Sequence, residues 1–451
     1  MHEVGCVTVD VESAVVYEHG WQSWSPSGCY PLGTRPQRPS TENSRVMNWR
    51  QEKQPAAEAF WGEGLMAIDP GDGSGIAIFA AAPAADPAPS IRADVHGSEV
   101  VVSADGPVVQ ATDTRASSIS DALGHWAGWY ASAAGVALRR RTPTAWCSWY
   151  HYLAHVNHDD ILENLAAMDR LGLDVDVVQI DDGYQAQIGD WLSVSDRFGS
   201  LQAVVADIRQ SGRRAGIWVA PFLVSPRSYT YRRYPEWLLG RATAGWNWQA
   251  EQAVLDVTHP GAEDHLRTVF TTLRGLGIDY FKLDFLYAGA IPGDRADHNL
   301  SPLMAYRHGL QVIRQAIGPD SYLLGCGAPI LPSVGLVDAM RVSPDTGPRY
   351  EPPAGDLSMP SQRSATLTGR ARAWQNGLFW VNDPDCLIVG PQVERREQWA
   401  AHIAGYGGLL CSSDRLSSLD AWGLEVTRRS WPELPGIPGR PPSLRASEIT
   451  T

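Results

Sequence analysis

Two charged residues interrupt an apolar stretch, DYFKLDF at 279–285: Lys282 and Asp284. A strand buried on both faces rarely holds charges unless they are paired or used. Period-two alternation turns both side chains the same way. A lysine beside an aspartate keeps the carboxylate ionised. That suits a nucleophile or an electrostatic stabiliser, and a buried structural ion pair is the plainer alternative. A second carboxylate, Asp345, lies in RVSPDTGP, where Pro344 and Pro348 stiffen the turn. An aspartate there can equally be an ordinary turn residue. Together the two match the needs of glycoside hydrolysis. One carboxylate attacks to form a glycosyl-enzyme; the other protonates the leaving oxygen and later deprotonates water.

Such a pair needs a frame that brings distant segments to one place. From Thr144 onward, strand-like and helix-like segments alternate. The strand candidates are TAWCSWY (144–150), VDVVQID (175–181), RAGIWVA (214–220), DYFKLDF (279–285), YLLGCG (322–327), DAMRVS (338–343), GLFWVND (377–383) and GGLLCSS (407–413). Helical patterns lie between most of them. One is HDDILENLAAMDRLGL, with Asp159 or Asp160 as its cap; another begins at Ser301 and Pro302. Eight strands with intervening helices predict an α/β fold, a (β/α)₈ TIM barrel over 144–425. The stretch from 220 to 279 exceeds one βα unit and predicts a large loop holding Trp237, Trp246 and Trp248. The fifth and sixth strands lie close in sequence, so the helix between them is reduced. Active sites of such barrels lie at the C-terminal ends of the strands. There the sequence sets Trp149, Tyr150 and His151, then Asp181 and Asp182, Trp218, Lys282 and Asp284, Cys326, Arg341 and Asp345, and finally Asn382, Asp383 and Asp385. A single strand-end aspartate is as often a helix cap as a catalyst. Carboxylates, cations and indoles converging on one rim favour a site.

Residues 1–118 show short alternating runs such as CVTVDVESAVVY and EVVVSA, separated by Gly, Pro and Asp. They predict an N-terminal antiparallel β-sandwich domain. Residues 119–143 predict a helical connector, and 426–451 a short Pro/Arg-rich C-terminal tail. The 451 residues are 44% hydrophobic and 19% charged, a globular composition. A net charge of −13 argues against nucleic-acid and anionic-membrane partners, whose phosphates need clustered Lys and Arg. The N-terminus lacks a signal-peptide pattern and no apolar run is long enough to span a bilayer, so a cytoplasmic location is expected. The six cysteines form no C-x-x-C pair. His151, His155 and His158 could suggest a metal site, but no H-E-x-x-H pattern accompanies them; no metal or cofactor is expected. The 18 tryptophans fit either a core or a cleft where indoles stack on sugar rings.

These segments resemble the glycoside hydrolase family 36 α-galactosidases, in particular the shorter bacterial form. The resemblance rests on GWQSWS, PTAWCSWYHY, QIDDGY with IGDWL, GIWVAPF, YFKLDFLYAGA, LLGCGAPILP, MRVSPDTGP and WVNDPDCLI, from residue 20 to about 390. It implies a retaining α-galactosidase acting on oligosaccharides, with the nucleophile on Asp284 and the acid/base on Asp345. It implies sugar contacts from Asp181, Asp182, Lys282, Arg341, Cys326, Trp218, Tyr150 and Trp24, and places Trp191 and Trp248 at the rim. Trp24 would reach from the β domain over the barrel mouth. The same fold and pair also support α-N-acetylgalactosaminidase or galactosyl-transferring activity, and a catalytically dead sugar-binding protein would have lost a carboxylate. Two departures stand out. Few residues follow the barrel where the family usually carries a C-terminal β domain, which leaves the oligomeric state open. Arg349 stands where an aromatic residue is common.

Overall fold

The computed structural model describes residues 1–53, 55–138 and 141–430. Strands Thr144–Cys147, Val177–Ile180, Arg214–Val219, Ile278–Leu283, Tyr322–Gly325, Ala339–Arg341, Val381–Asp383 and Leu410–Ser412 form one eight-stranded sheet. Each of the eight predicted strands is present, and neighbours pair in parallel. The first strand pairs with both the second (Ala145 with Val177) and the eighth (Thr144 with Leu410). The seventh and eighth are joined by the Leu409 N–H donating to the Asn382 carbonyl at 2.8 Å, which nearly closes the barrel. These strands are short, mostly apolar and almost wholly buried, as a parallel sheet covered by helices requires.

The helices pack one face inward. In Pro302–Ile317 the buried residues Leu303, Tyr306, Leu310, Ile313 and Ile317 recur every three or four positions. Its start is as predicted: Ser301 caps it by accepting the Met304 N–H, and proline opens the first turn. The first barrel helix, His158–Leu171, is capped differently from the sequence reading. Asn157 is the N-cap, and Asp160 returns a bond to its backbone N–H in a reciprocal capping box. Between the fifth and sixth strands there is only a short 3₁₀ turn, Leu331–Ser333. The predicted loop after the third strand is instead a small antiparallel sheet of Leu223–Val224, Leu238–Asn247 and Ala250–Leu255.

Ahead of the barrel lie two antiparallel sheets. One has four strands (His2–Thr8, Phe60–Glu63, Ser90–His96, Glu99–Ala104); the other has five (Val15–Glu18, Gly28–Pro31, Leu65–Asp69, Ile76–Ala80, Val109–Asp113). Val16, Met66, Ile68, Phe79, Ile91 and Val102 fill the space between them. Helix Ile119–Ala133, capped by Ser118, connects this sandwich to the barrel side. A short helix, Glu42–Asn48, leaves the sandwich and lies against strand Leu238–Asn247. Helix Ala421–Ser430 runs past residue 425, and the rest of the C-terminal tail lies outside the described residues. No helix among the described residues is long and apolar enough to cross a membrane.

Candidate active site

A cavity of about 520 Å³ opens at the C-terminal ends of the barrel strands. Its walls include Trp24, Asp181, Asp182, Trp218, Trp248, Lys282, Asp284 and Asp345, eight residues singled out from the sequence.

The second, third and fourth strands build one wall. Asp181 and Asp182 stand just past the strand end at Ile180, where the chain is already turning. The Lys282 ammonium donates to Asp181 Oδ2 at 3.0 Å, and Gln179 Nε2 donates to the same oxygen at 2.6 Å. The sequence reading paired Lys282 with Asp284 instead. Lys282 and Asp284 both face the cavity, but the carboxylate that accepts from the ammonium is Asp181, just past the second strand. Burial disfavours the Lys282 ammonium. Asp181, with Asp284 beyond it, nonetheless holds its pKa well above the ordinary lysine value. Asp182 accepts from Gln185 Nε2 at 2.6 Å and from the Trp248 indole at 2.8 Å; burial raises its pKa.

Asp284 is buried and accepts two N–H groups. Trp218 Nε1 donates at 3.0 Å and the Phe285 backbone at 2.8 Å. Phe285 adopts a left-handed backbone, φ 51° and ψ 32°, unusual for a bulky residue. Such conformations cost on the order of 1–3 kcal/mol and persist where the surroundings enforce them. Here the turn aims the Asp284 carboxylate into the mouth.

The sixth and seventh strands build the opposite wall. Arg341 is fully buried between three carboxylates. It reaches Asp345 Oδ1 at 2.9 Å, Asp383 Oδ2 at 3.0 Å and Asp385 Oδ1 at 2.8 Å. Tyr150 donates its hydroxyl to Asp385 Oδ2, which also accepts the Thr346 N–H at 2.7 Å. Asp345 is half-buried, with 31% of its side chain exposed. Burial and then the neighbouring Asp385 push its pKa up to about 7, against the opposing pull of Arg341. Asp385, at the strand end in the sequence reading but given no role there, joins Tyr150, Arg341 and the backbone that follows Asp345. Its φ of 88°, directly after Pro384, marks a forced turn.

Four predicted contacts do not line the cavity. Arg341 and Tyr150 stand behind Asp345 and Asp385. Cys326 is fully buried at the end of the fifth strand, tied by its backbone to Leu283 and Leu286. Trp191 packs edge-on behind Trp218, ring centres 5.8 Å apart, and so supports the wall rather than the rim. Arg349 is exposed and also outside the cavity. The three histidines lie on three separate elements, and His158 bonds Asp207 at 2.7 Å. Among the described residues no group of three metal-ligating side chains gathers.

The cover comes from outside the barrel. Trp24, from the sandwich domain, packs on Phe285 at 4.9 Å and Tyr287 at 6.0 Å, and its buried indole N–H has no hydrogen-bond partner among the described residues. Helix Glu42–Asn48 adds Asn43, Ser44, Met47 and Asn48. Its short length and lack of apolar period left it invisible in the sequence. Asn43 holds both the N–H (2.6 Å) and the carbonyl (3.2 Å) of Trp246, a residue 58% exposed at the rim. Trp248 and Gln249 form the hairpin tip with φ of 47° and 60°. Tight hairpin turns that need positive φ usually use Asn-Gly. Keeping a tryptophan there sets its indole on Asp182.

Residues 136–311 match the family model Melibiase. The chain is 27% identical over 156 residues to a probable α-galactosidase G of Emericella nidulans, covering 30% of this chain and 21% of that one. It is 25% identical over 178 residues to α-galactosidase AgaA of Geobacillus stearothermophilus, covering 36% and 24%. The matched stretch thus spans about a fifth to a quarter of these curated relatives. Likeness to solved structures runs over nearly the whole chain. The α-galactosidase TtGalA of Thermus thermophilus, in complex with p-nitrophenyl α-D-galactopyranoside, superposes with a TM-score of 0.79 at 27% identity, covering 95% of this chain and 88% of that one. AgaA shares the fold at a TM-score of 0.62 and 14% identity, covering 94% of this chain and 61% of that one. The motif resemblance, the melibiase match over residues 136–311 and this structural likeness agree: the chain is similar to the glycoside hydrolase family 36 α-galactosidases over its sandwich and barrel.

Proposed function

We propose that the protein is a retaining α-galactosidase that removes terminal α-galactosyl units from oligosaccharides by double displacement. The observation that carries this reading is the contrast between two carboxylates facing one cavity. Asp284 is fixed by two N–H donors, while Asp345 has its pKa pushed up to about 7. An acceptor-satisfied carboxylate suits attack, and a carboxyl that exchanges its proton near neutrality suits acid/base work. In the first step an Asp284 oxygen bonds to the anomeric carbon. The glycosidic C–O bond breaks, and Asp345 gives its proton to the departing oxygen. In the second step Asp345 takes a proton from water, whose oxygen bonds to the anomeric carbon and releases Asp284.

Asp181, Asp182 and Lys282 offer the hydroxyl-binding groups, and Trp218, Trp248 and Trp24 the apolar walls. A pyranose buries its apolar face against such indoles while its hydroxyls meet the charged groups. Arg341, Tyr150, Cys326 and Trp191 act on the sugar through the residues they hold. TtGalA has been solved with stachyose as well as with the aryl galactoside, which supports an oligosaccharide substrate for this chain too. All six cysteines are free, consistent with a cytoplasmic location. The test is hydrolysis of p-nitrophenyl α-galactoside followed by NMR of the first-formed sugar. Retention gives α-galactose first. First-formed β-galactose, or no hydrolysis, would overturn the reading.

A further inference from the structure

Arg372 follows helix Gln362–Ala371 and is fully buried. A buried cation normally has a carboxylate beside it. No carboxylate is among the hydrogen-bond partners of Arg372 within the described residues. Its guanidinium is instead ringed by backbone carbonyls. Nη1 donates to Ser23 at 2.6 Å and Val342 at 3.0 Å; Nη2 donates to Gly20 at 3.2 Å, Gln22 at 2.9 Å and Ser25 at 3.0 Å. Burial without a counter-charge pushes its pKa down to about 10, which still leaves it cationic at neutral pH.

Four of those five carbonyls belong to the segment GWQSWS, the loop that carries Trp24. An isolated loop would point successive carbonyls to solvent. Here they turn toward one cation, whose planar fork of donors no lysine reproduces. The same loop is fastened at its other side. Gln22 Oε1 accepts the Trp24 N–H at 2.8 Å, and Gln22 Nε2 reaches the Met47 carbonyl at 2.7 Å. Ser23 donates its N–H to the Ala328 carbonyl at 3.0 Å and accepts the Ala328 N–H on its hydroxyl at 3.1 Å. Trp24 then rests on Phe285, the residue after Asp284, and so close to Gly327 that a Cβ there would sit 3.0 Å from the indole. The fifth carbonyl, Val342, is next to Arg341, which holds Asp345. One guanidinium therefore joins the covering loop to the segment that runs from the sixth strand to the second carboxylate.

We infer that Arg372 is a positioning residue for the sugar site: by gathering the carbonyls of the 20–25 loop it sets the Trp24 indole over the cavity, and it acts on galactoside binding through Trp24. This rests on the proposed α-galactosidase reading.

The test is a double-mutant cycle with Arg372→Lys and Trp24→Ala, assayed on p-nitrophenyl α-galactoside well below the Tm of every variant. Arg372→Lys should raise KM about tenfold with kcat within about threefold, and leave the pH profile in place. In the Trp24→Ala background the same change should alter KM by less than about twofold, because the residue it acts through is gone. Equal KM effects in both backgrounds, or none in either, would overturn the inference. If Arg372→Lys does not fold, hydrogen exchange on the unaltered protein decides. Amides of 20–25 should be protected like those of the barrel strands, and exchange as fast as in exposed turns would refute the role. A wild-type protein that does not cleave the galactoside would defeat the functional reading instead.

Discussion

The two walls of the cavity hold their carboxylates by opposite means. On the wall of the second to fourth strands, Asp284 is buried and its oxygens accept N–H groups from Trp218 and from the next backbone unit. On the wall of the sixth and seventh strands, Asp345 lies beyond its strand, part-exposed, with one arm of Arg341 as its fixed partner. That arginine also serves Asp383 and Asp385, so its charge is divided among three carboxylates. In the proposed mechanism this leaves Asp345 with a proton to trade. The difference teaches how two identical side chains can be given two environments, and so two proposed roles, by what surrounds them.

The largest break comes from removing the fixed carboxylate. Asp284→Ala should lower kcat on aryl galactosides by about 10⁴-fold or more, and azide or formate should restore part of the rate. Near-normal turnover would end the assignment. Removing the exchanging carboxyl should divide substrates by leaving group. Asp345→Ala should cost melibiose roughly 10²-fold or more, as expected for lost proton donation, and aryl galactosides distinctly less. Equal losses would remove the acid role.

The contrast also sets a pH dependence. The native pKa of Asp345, about 7, lies above its ordinary 3.8. The folded state thus holds a proton that the unfolded chain has released. Its contribution to stability is complete below about pH 4 and is lost as pH rises through about 7. Asp345→Asn, which keeps the neutral form, should therefore gain in Tm relative to wild type on going from pH 4 to pH 8. A constant Tm difference would deny the raised pKa. The smallest expected effect lies at the rim: Trp246→Ala should raise KM for tri- and tetrasaccharides about threefold, as for the loss of one stacking surface, and less for α-galactosyl fluoride. An equal change for both would take Trp246 away from the leaving-group side.

Much of this was legible in the sequence because barrel strands are mostly apolar runs with their polar residues gathered toward the C-terminal ends. Asp284, Asp345, Asp181, Asp182 and Trp218 could be placed from that rule together with the motifs. What escaped depends on contacts between strands. The spacing of Lys282 and Asp284 suggested a pair, yet the partner of Lys282 is Asp181, 101 residues away in the chain. Cys326, Trp191, Tyr150 and Arg341 lie behind the walls, a depth that sequence order does not encode. Arg372 resembled any helix-end arginine, since its partners are carbonyls and carbonyls leave no trace in residue type.

The most direct measurement is to trap the covalent intermediate. A 2-deoxy-2-fluoro or 5-fluoro galactosyl fluoride slows the second step and lets the glycosyl-enzyme accumulate. Mass spectrometry of the digested protein should then find the sugar on the peptide YFKLDFLYAGA, esterified to Asp284. Label on Asp345, or turnover with no labelled peptide and inverted product, would contradict the account.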